Sequence, residues 1–362
     1  MKIDVKNDLW QYLSSADKKI VMYGMGNGAD KILAICERYG IEISDFFASD
    51  GFVRGHSFHG KTVLSYSAVK EKYGAENIIV LISFASSLPD VLSLFDIVDS
   101  ECETYAPDVP VCGDTLFNME FWSAHRSELE EVYSRLADAT SRDIFEKVIL
   151  YKLSGKISYL LEAVSDRDET FALIGDIRSA ADLGAYNGDT VRELIERYPD
   201  IERIYALEPD RRSFRKLSEY ADTQPDGRII PINAAAWNES ATLTFADGGS
   251  RNSGAFAKGK RVEVSALSLD GILCGEAVDY IKYDVEGAEK EALEGSAETI
   301  RRFSPALSVS VYHRSEDLFA LPLAVLKINP DYELYLRRRP YVPAWDLDLL
   351  FFEKKSRQKK LQ

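Results

Sequence analysis

The sequence predicts an α/β protein with two Rossmann-like, doubly wound parallel sheets joined by a helical connector. Three observations predict it. Apolar runs of strand length alternate with helical spacings over residues 19–83; from about residue 116 to 164 only helical periodicity is present; and the alternation resumes from residue 176. Strands alternating with helices make βαβ units, and near-continuous apolar strands are those a parallel sheet buries on both faces. The expected organisation is an N-terminal Rossmann-like module over residues 1–115, a helical connector over 116–175 and a second α/β domain over 176–362.

Each element has its own signal. Lys19-Ile20-Val21-Met22-Tyr23-Gly24 reads as a buried strand ending in glycine. Residues 29–39 place Ile32, Leu33, Ile35 and Cys36 at helical spacing, and Gly40 follows as a C-cap. A second strand spans 43–48, a helix 66–74 and a third buried strand 77–83. In the connector, residues 127–138, 141–153 and 156–164 read as helices, Gly155 separates the last two, and 165–170 is a polar hinge. The second domain reads as strand 178–183, helix 190–198, strand 204–207, helix 214–220 and strand 229–235. Then come strand 280–284, helix 288–301, strand 306–312 and two closing strands at 332–336 and 347–352, which can form an antiparallel edge.

Composition narrows the function classes. The 362 residues are 46% apolar, enough for real cores. No apolar run reaches the roughly 18 residues of a membrane helix, and the polar first residues carry no signal-peptide core. A soluble, cytoplasmic protein is expected. Cys36, Cys102, Cys112 and Cys274 form no C-x-x-C pair, so they read as reduced thiols. The net charge of −15 argues against nucleic acid as a partner. The dense basic runs are Arg337-Arg338-Arg339 and the tail over 354–360.

The chemistry centres on Asp182-Leu183-Gly184-Ala185-Tyr186-Asn187-Gly188-Asp189-Thr190, where a strand turns into a helix. Glycines let the backbone approach a ligand, and a helix N-terminus offers free N–H groups. Glu208 ends the next strand, where an acid can bond two ribose hydroxyls. Together these predict nucleoside binding. Asp182 would oppose a pyrophosphate but suits a cationic amino group or sulfonium, which points to S-adenosylmethionine over NAD.

With these residues in view, residues 176–352 resemble the FkbM-type methyltransferase family, which has a Rossmann-like methyltransferase fold. Four stretches carry the resemblance: residues 182–190; Leu207-Glu208-Pro209-Asp210; Ile281-Lys282-Tyr283-Asp284-Val285-Glu286-Gly287-Ala288-Glu289 with Leu293 and Gly295; and residues 310–317. The third is the most specific. The resemblance implies S-adenosylmethionine-dependent O-methylation of a hydroxyl on a sugar, glycan or natural product.

It also implies roles. Asp182, Gly184, Ala185, Tyr186, Gly188, Asp189 and Thr190 would line the cofactor, with Glu208 and Pro209 at the ribose and Asn233 at the adenine. Asp284 and Glu286 would face the methyl group, although Glu286-Gly287-Ala288-Glu289 also reads as a plain helix start favoured by the dipole. Transfer to an alcohol needs alignment and a base. His313 is the base candidate, with Asp284 as its alternative or its orienting partner; a core histidine is the competing reading. The acids could hold a divalent cation, but no ligand pattern is clear and no metal is assigned. Arg251 and Ser253 in the glycine-rich loop 248–254, and Arg314, are candidates for the substrate.

The N-terminal module carries its own fingerprint, Gly24-Met25-Gly26-Asn27-Gly28-Ala29, with Asp50 ending the second strand. On paper this suits a dinucleotide, as a second nucleotide beside the cofactor, with substrate recognition or a purely structural role as the open alternatives. His56 and His59 are a weak metal signal. The alternative function is therefore a nucleotide-sugar- or NAD-binding protein whose methyltransferase fold is not catalytic. The acceptor and the oligomeric state are not legible.

Overall fold

The computed structural model describes residues 1–53, 55–224, 226–247 and 260–353. The first sheet runs Leu64–Ser65, Ile43–Ala48, Lys19–Tyr23, Ile78–Ile82, Glu103–Tyr105, with every neighbouring pair parallel. Alternation along each strand sends residues to two faces. Ile20, Met22, Ile79 and Leu81 pack with Ala29, Ile32 and Ile35 of helix Asn27–Tyr39. Val21, Tyr23, Val80 and Ile82 pack with Val69 of helix Tyr66–Tyr73 and Phe95 and Val98 of helix Pro89–Glu101. Gly40 caps the first of these helices in the left-handed conformation, φ 66°.

The second sheet has seven strands in the order Ile229–Ile232, Arg203–Leu207, Ser179–Leu183, Tyr280–Tyr283, Ala306–Ser310, Leu347–Glu353, Tyr332–Arg338. The first five are parallel; the last two pair antiparallel. One face buries Leu183, Tyr283 and Val309 against Leu129, Phe145 and Val148 from helices Arg126–Arg135 and Ala139–Ser154. The other buries Ala180, Ile204 and Ala206 against Val191, Leu194 and Leu217 from helices Asp189–Arg197 and Arg211–Asp222. In each sheet the first strand lies beside the fourth parallel strand, so the loops above diverge there and leave a crevice at their carboxyl ends.

Several expected elements are corrected. Strand 229–235 stops at Ile232; Ala235–Ala236 pairs instead with Lys260–Leu267, the partner of Ala241–Asp247. Helix 288–301 is two helices, Glu289–Glu294 and Ala297–Phe303. The break follows Gly295, where a Cβ would stand 1.9 Å from the Trp237 carbonyl oxygen. The hinge at 165–170 is mostly helix: Asp166 caps Arg167–Ile174 by accepting from Glu169 N. Helix Asp317–Ile328, with Pro322 inside it, was not foreseen.

The two sheets meet through loops. Ser86 N donates to Val342 O at 2.9 Å and Val342 N to Ser86 O at 3.0 Å. Tyr151, Ile157 and Leu160 pack with Val342 and Ala344 in the first sheet's core. Among the described residues no helix is long and apolar enough to cross a membrane.

Candidate active site

A cleft of about 1220 Å³ opens at the carboxyl ends of the second sheet. Its floor is the turn after Ser179–Leu183. Gly184 has φ +90°, and a Cβ there would stand 1.9 Å from the carbonyl oxygen of Asp284, so only glycine lets the two loops touch. Gly188, φ +84°, begins helix Asp189–Arg197 with no side-chain cap, leaving N–H groups for a ligand. Glu208 ties this turn to its own: Oε2 accepts from Tyr186 N at 2.8 Å and Oε1 from Asp210 N at 2.7 Å. Asn233 Nδ2 donates to the carbonyls of Glu208 and Pro209. Burial pushes the Glu208 carboxyl up to about 7, against the pull of these backbone donors.

Of the expected residues, Gly184, Tyr186, Asp189, Thr190, Glu208, Pro209, Asn233, Asp284 and Glu286 line the cleft. Ala185 is instead buried against Ala180, Val191 and Leu217, and Gly188 serves as the helix cap. Asp182 is fully buried, and neither of its carboxylate oxygens makes a hydrogen bond. The ammonium of Lys282, a lining residue, lies 3.6 Å from Asp182 Oδ1 and 3.2 Å from Asp284 Oδ2. The negative charge expected of Asp182 is therefore met inside the protein. Burial raises its carboxyl to about 6, tempered by Lys282. Asp284 is the reverse case: burial alone would raise it, but Lys282 and His313 hold it below the ordinary aspartate range.

His313 is completely buried beyond the end of Ala306–Ser310. Its Nδ1 lies 2.9 Å from Glu289 Oε1, and its Nε2 lies 3.6 Å from both Asp284 Oδ1 and Glu286 Oε2. Neither nitrogen makes a well-aligned hydrogen bond. Burial would lower its pKa, yet Glu289, Asp284 and Glu286 raise it to about 10. The three acids thus favour the protonated ring, which weighs against His313 as the base. Glu289, which the sequence leaves open between a site residue and a helix-start acid, also accepts from Val285 N at 3.0 Å and Gly287 N at 3.3 Å, so it holds the whole turn. Glu286 in that turn has φ +53°, a conformation costly for a branched-off side chain. Burial lifts its carboxyl to about 7, against the opposing pull of His313.

Arg314 does not line the cleft: Nε and Nη2 both donate to Gly287 O at 3.1 Å. Arg251 and Ser253 lie outside the described residues. The sequence reading missed a wall of Tyr312, Tyr341 and Trp345 with Arg339 and Asp346, and missed Arg167 from the connector and Ser87 and Val111 from the first sheet's side. Trp345 sits 6.4 Å from the Tyr312 ring and 5.6 Å from that of Tyr341. The basic run dissolves on folding. Arg337 pairs with Asp138 at 2.6 Å, and buried Arg338 donates to Leu160 O, Ala163 O and Tyr341 O.

The N-terminal fingerprint loop is packed by the chain at Gly24 and Gly28 and open at Gly26. A Cβ on Gly24 would stand 2.6 Å from the Phe84 ring, and one on Gly28 2.1 Å from Ser83 O. Asp50, which a nucleotide's ribose would need, accepts from Ser67 N and Oγ. His59 pairs with Asp30 at 2.7 Å. Among the described residues one group has metal-ligand spacing, Asp284, Glu289 and His313, and it includes neither His56 nor His59.

Comparison with known proteins agrees with this geometry. Residues 182–342 match the family model described as the methyltransferase FkbM domain. A solved structure described as methyltransferase FkbM from Methylobacillus flagellatus KT superposes with a TM-score of 0.70 at 23% identity, over 92% of this chain and 90% of that one. The second sheet thus has the Rossmann-like methyltransferase fold. An rRNA methylase from Streptococcus thermophilus superposes with a TM-score of 0.34 at 12% identity, over 51% of this chain and 92% of its own. Aeropyrum pernix fibrillarin, solved with natively bound S-adenosyl-L-methionine, gives 0.31 at 15%, over 49% and 67%. Neither of these two carries weight. No curated protein matches the chain.

Proposed function

From the premise that residues 182–342 are an FkbM-type methyltransferase domain, we propose that the protein transfers the methyl group of S-adenosylmethionine to a hydroxyl of a small molecule or glycan in the cytoplasm. One observation carries the cofactor assignment. The Gly184 turn, pressed against Asp284, leads to an uncapped helix start, and Glu208 stands at the end of the adjacent strand. The Glu208 carboxylate has about four lone-pair sites. Two serve Tyr186 N and Asp210 N, which leaves two for the ribose hydroxyls.

In the reaction the acceptor oxygen attacks the methyl carbon in line. The carbon–oxygen bond forms as the carbon–sulfur bond breaks, and its electron pair stays on sulfur. The hydroxyl proton goes to Glu286, whose pKa of about 7 suits a base at neutral pH. Asp284, whose carboxyl Lys282 and His313 hold below the ordinary aspartate range, would present negative charge to the sulfonium. The wall of Tyr312, Tyr341 and Trp345 beside Arg339 and Asp346 supports a sugar-like acceptor, because flat aromatic faces pack on C–H surfaces while charged groups bond hydroxyls. Calorimetry with S-adenosylmethionine and its demethylated product tests the assignment. Binding that is lost in Glu208→Ala is expected; binding of NAD in its place would overturn it.

A further inference from the structure

The acids below the cleft are arranged around a histidine, and that arrangement has a use beyond charge balance. His313, Asp284 and Glu289 each bring a donor atom within 4.8 Å of the others. Glu289 is already committed. It lies against Nδ1 of His313 and accepts two backbone N–H groups from the turn. That fixes the ring and aims Nε2 at Asp284 Oδ1 and Glu286 Oε2, each 3.6 Å away. Both carboxylates line the cleft, whereas the histidine is completely buried and neither nitrogen has a hydrogen-bond partner.

From this geometry we infer that His313 Nε2, Asp284 and Glu286 form a divalent cation site at the floor of the cleft, with Glu289 orienting the histidine. A carboxylate behind the second ring nitrogen is the usual support of a metal-bound histidine. Two carboxylates and one imidazole suit a magnesium- or manganese-class ion with coordination positions left open. Ligands about 2.1 Å from such an ion stand about 3 Å apart at right angles, so Asp284 and Glu286, each 3.6 Å from Nε2, have to move toward it. Both side chains are partly exposed while the histidine is completely buried, and Asp284 would turn from Tyr312 OH and Lys282 to do so.

The site rests on the methyltransferase reading for its purpose. The acceptor hydroxyl would take an open position, where the cation makes its proton easier to lose. Glu286, bound through one oxygen, keeps the other to receive that proton. A cation ligated by Nε2 takes the place of the proton that the surrounding acids favour on the ring, so His313 serves as a ligand in place of a base.

The test uses the full chain and manganese alone, read by electron paramagnetic resonance and calorimetry without cofactor. One ion per chain is expected, with affinity weakened at least about tenfold in Asp284→Asn and Glu286→Gln, and by about 10–100-fold in Glu289→Gln. Glu286→Gln is the safeguard against misfolding, since Glu286 is partly exposed; circular dichroism checks each variant. Absence of saturable binding of manganese, magnesium and zinc to the folded protein overturns the site, as does binding that Glu286→Gln and Asp284→Asn leave unchanged. S-adenosylmethionine binding is measured in parallel. Cofactor binding without ion binding removes the metal site and spares the methyltransferase reading. Ion binding without cofactor binding supports the site and removes that reading.

Discussion

The Cα of Gly184 faces the carbonyl oxygen of Asp284 so closely that a methyl group there would stand 1.9 Å from it. The two loops that make the cleft floor are thus in backbone contact, and the gap between them is set by the absence of one side chain. Gly184→Ala is expected to lower stability by about 2–4 kcal/mol, from overpacking together with the strained φ. Cofactor affinity should fall further than the unfolding midpoint implies. Thermal unfolding and calorimetry on the same sample separate the two effects.

Under the proposed function, Glu208 should make the binding of S-adenosylmethionine pH-dependent. Burial moves its pKa from 4.5 to about 7. A carboxyl raised in the folded state binds more protons there than in the unfolded chain. Its contribution to stability is complete below about 4.5 and is lost as pH rises through about 7. Ribose hydroxyls bind the ionised form, so affinity should move the opposite way, weakening about tenfold per unit as pH falls below 7. Titrations from pH 5.5 to 8.5 should show this slope in the native protein and none in Glu208→Gln.

Lys282 is the counter-charge for Asp182. In the sheet the two residues are register partners. Lys282→Met would leave a fully buried carboxyl beside Asp284 without compensation, at a cost of about 3–5 kcal/mol. Adding Asp182→Asn should recover more than half of that. A urea double-mutant cycle showing independent losses would refute the pairing.

Arg338 is buried, and its guanidinium joins Leu160 O, Ala163 O and Tyr341 O. Arg338→Met should lower stability by about 2–4 kcal/mol through unsatisfied carbonyls. Because Tyr341 lies on the cleft wall, KM for the acceptor should rise more than kcat falls. Arg338→Lys should not rescue, since one ammonium cannot replace the planar fork.

Strands were legible where they are buried on both faces. Ile78–Ile82 reads as strand because every position is apolar, and it is buried throughout. Asp317–Ile328 escaped notice for the opposite reason: an apolar stretch with Pro322 inside has no polar stripe to mark a helix, because neighbours cover it on several sides. Glu103–Tyr105 is too short to register as a pattern. In the site, Gly184, Glu208, Asp284 and Glu286 were legible because they end strands or turn next to them. Lys282 was quoted within its motif, yet its pairing depends on strands a hundred residues apart lying in register. The protonation of His313 depends on Glu289, whose spacing within a helix start gives no sign of it. Tyr341 and Trp345 of the aromatic wall come from the loop between the last two, antiparallel strands, where periodicity carries no information.

The pairing of Ser86 with Val342 is made by main-chain atoms alone. Every amino acid except proline can supply those atoms, but the Val342 side chain is also buried in the first sheet's core and Ser86 Oγ accepts from Leu88 N, so the joint is fastened by side chains as well. Their neighbours Ser87 and Tyr341 line the cleft. Substitution there can retune which acceptor fits without unfastening the first sheet from the wall of the second.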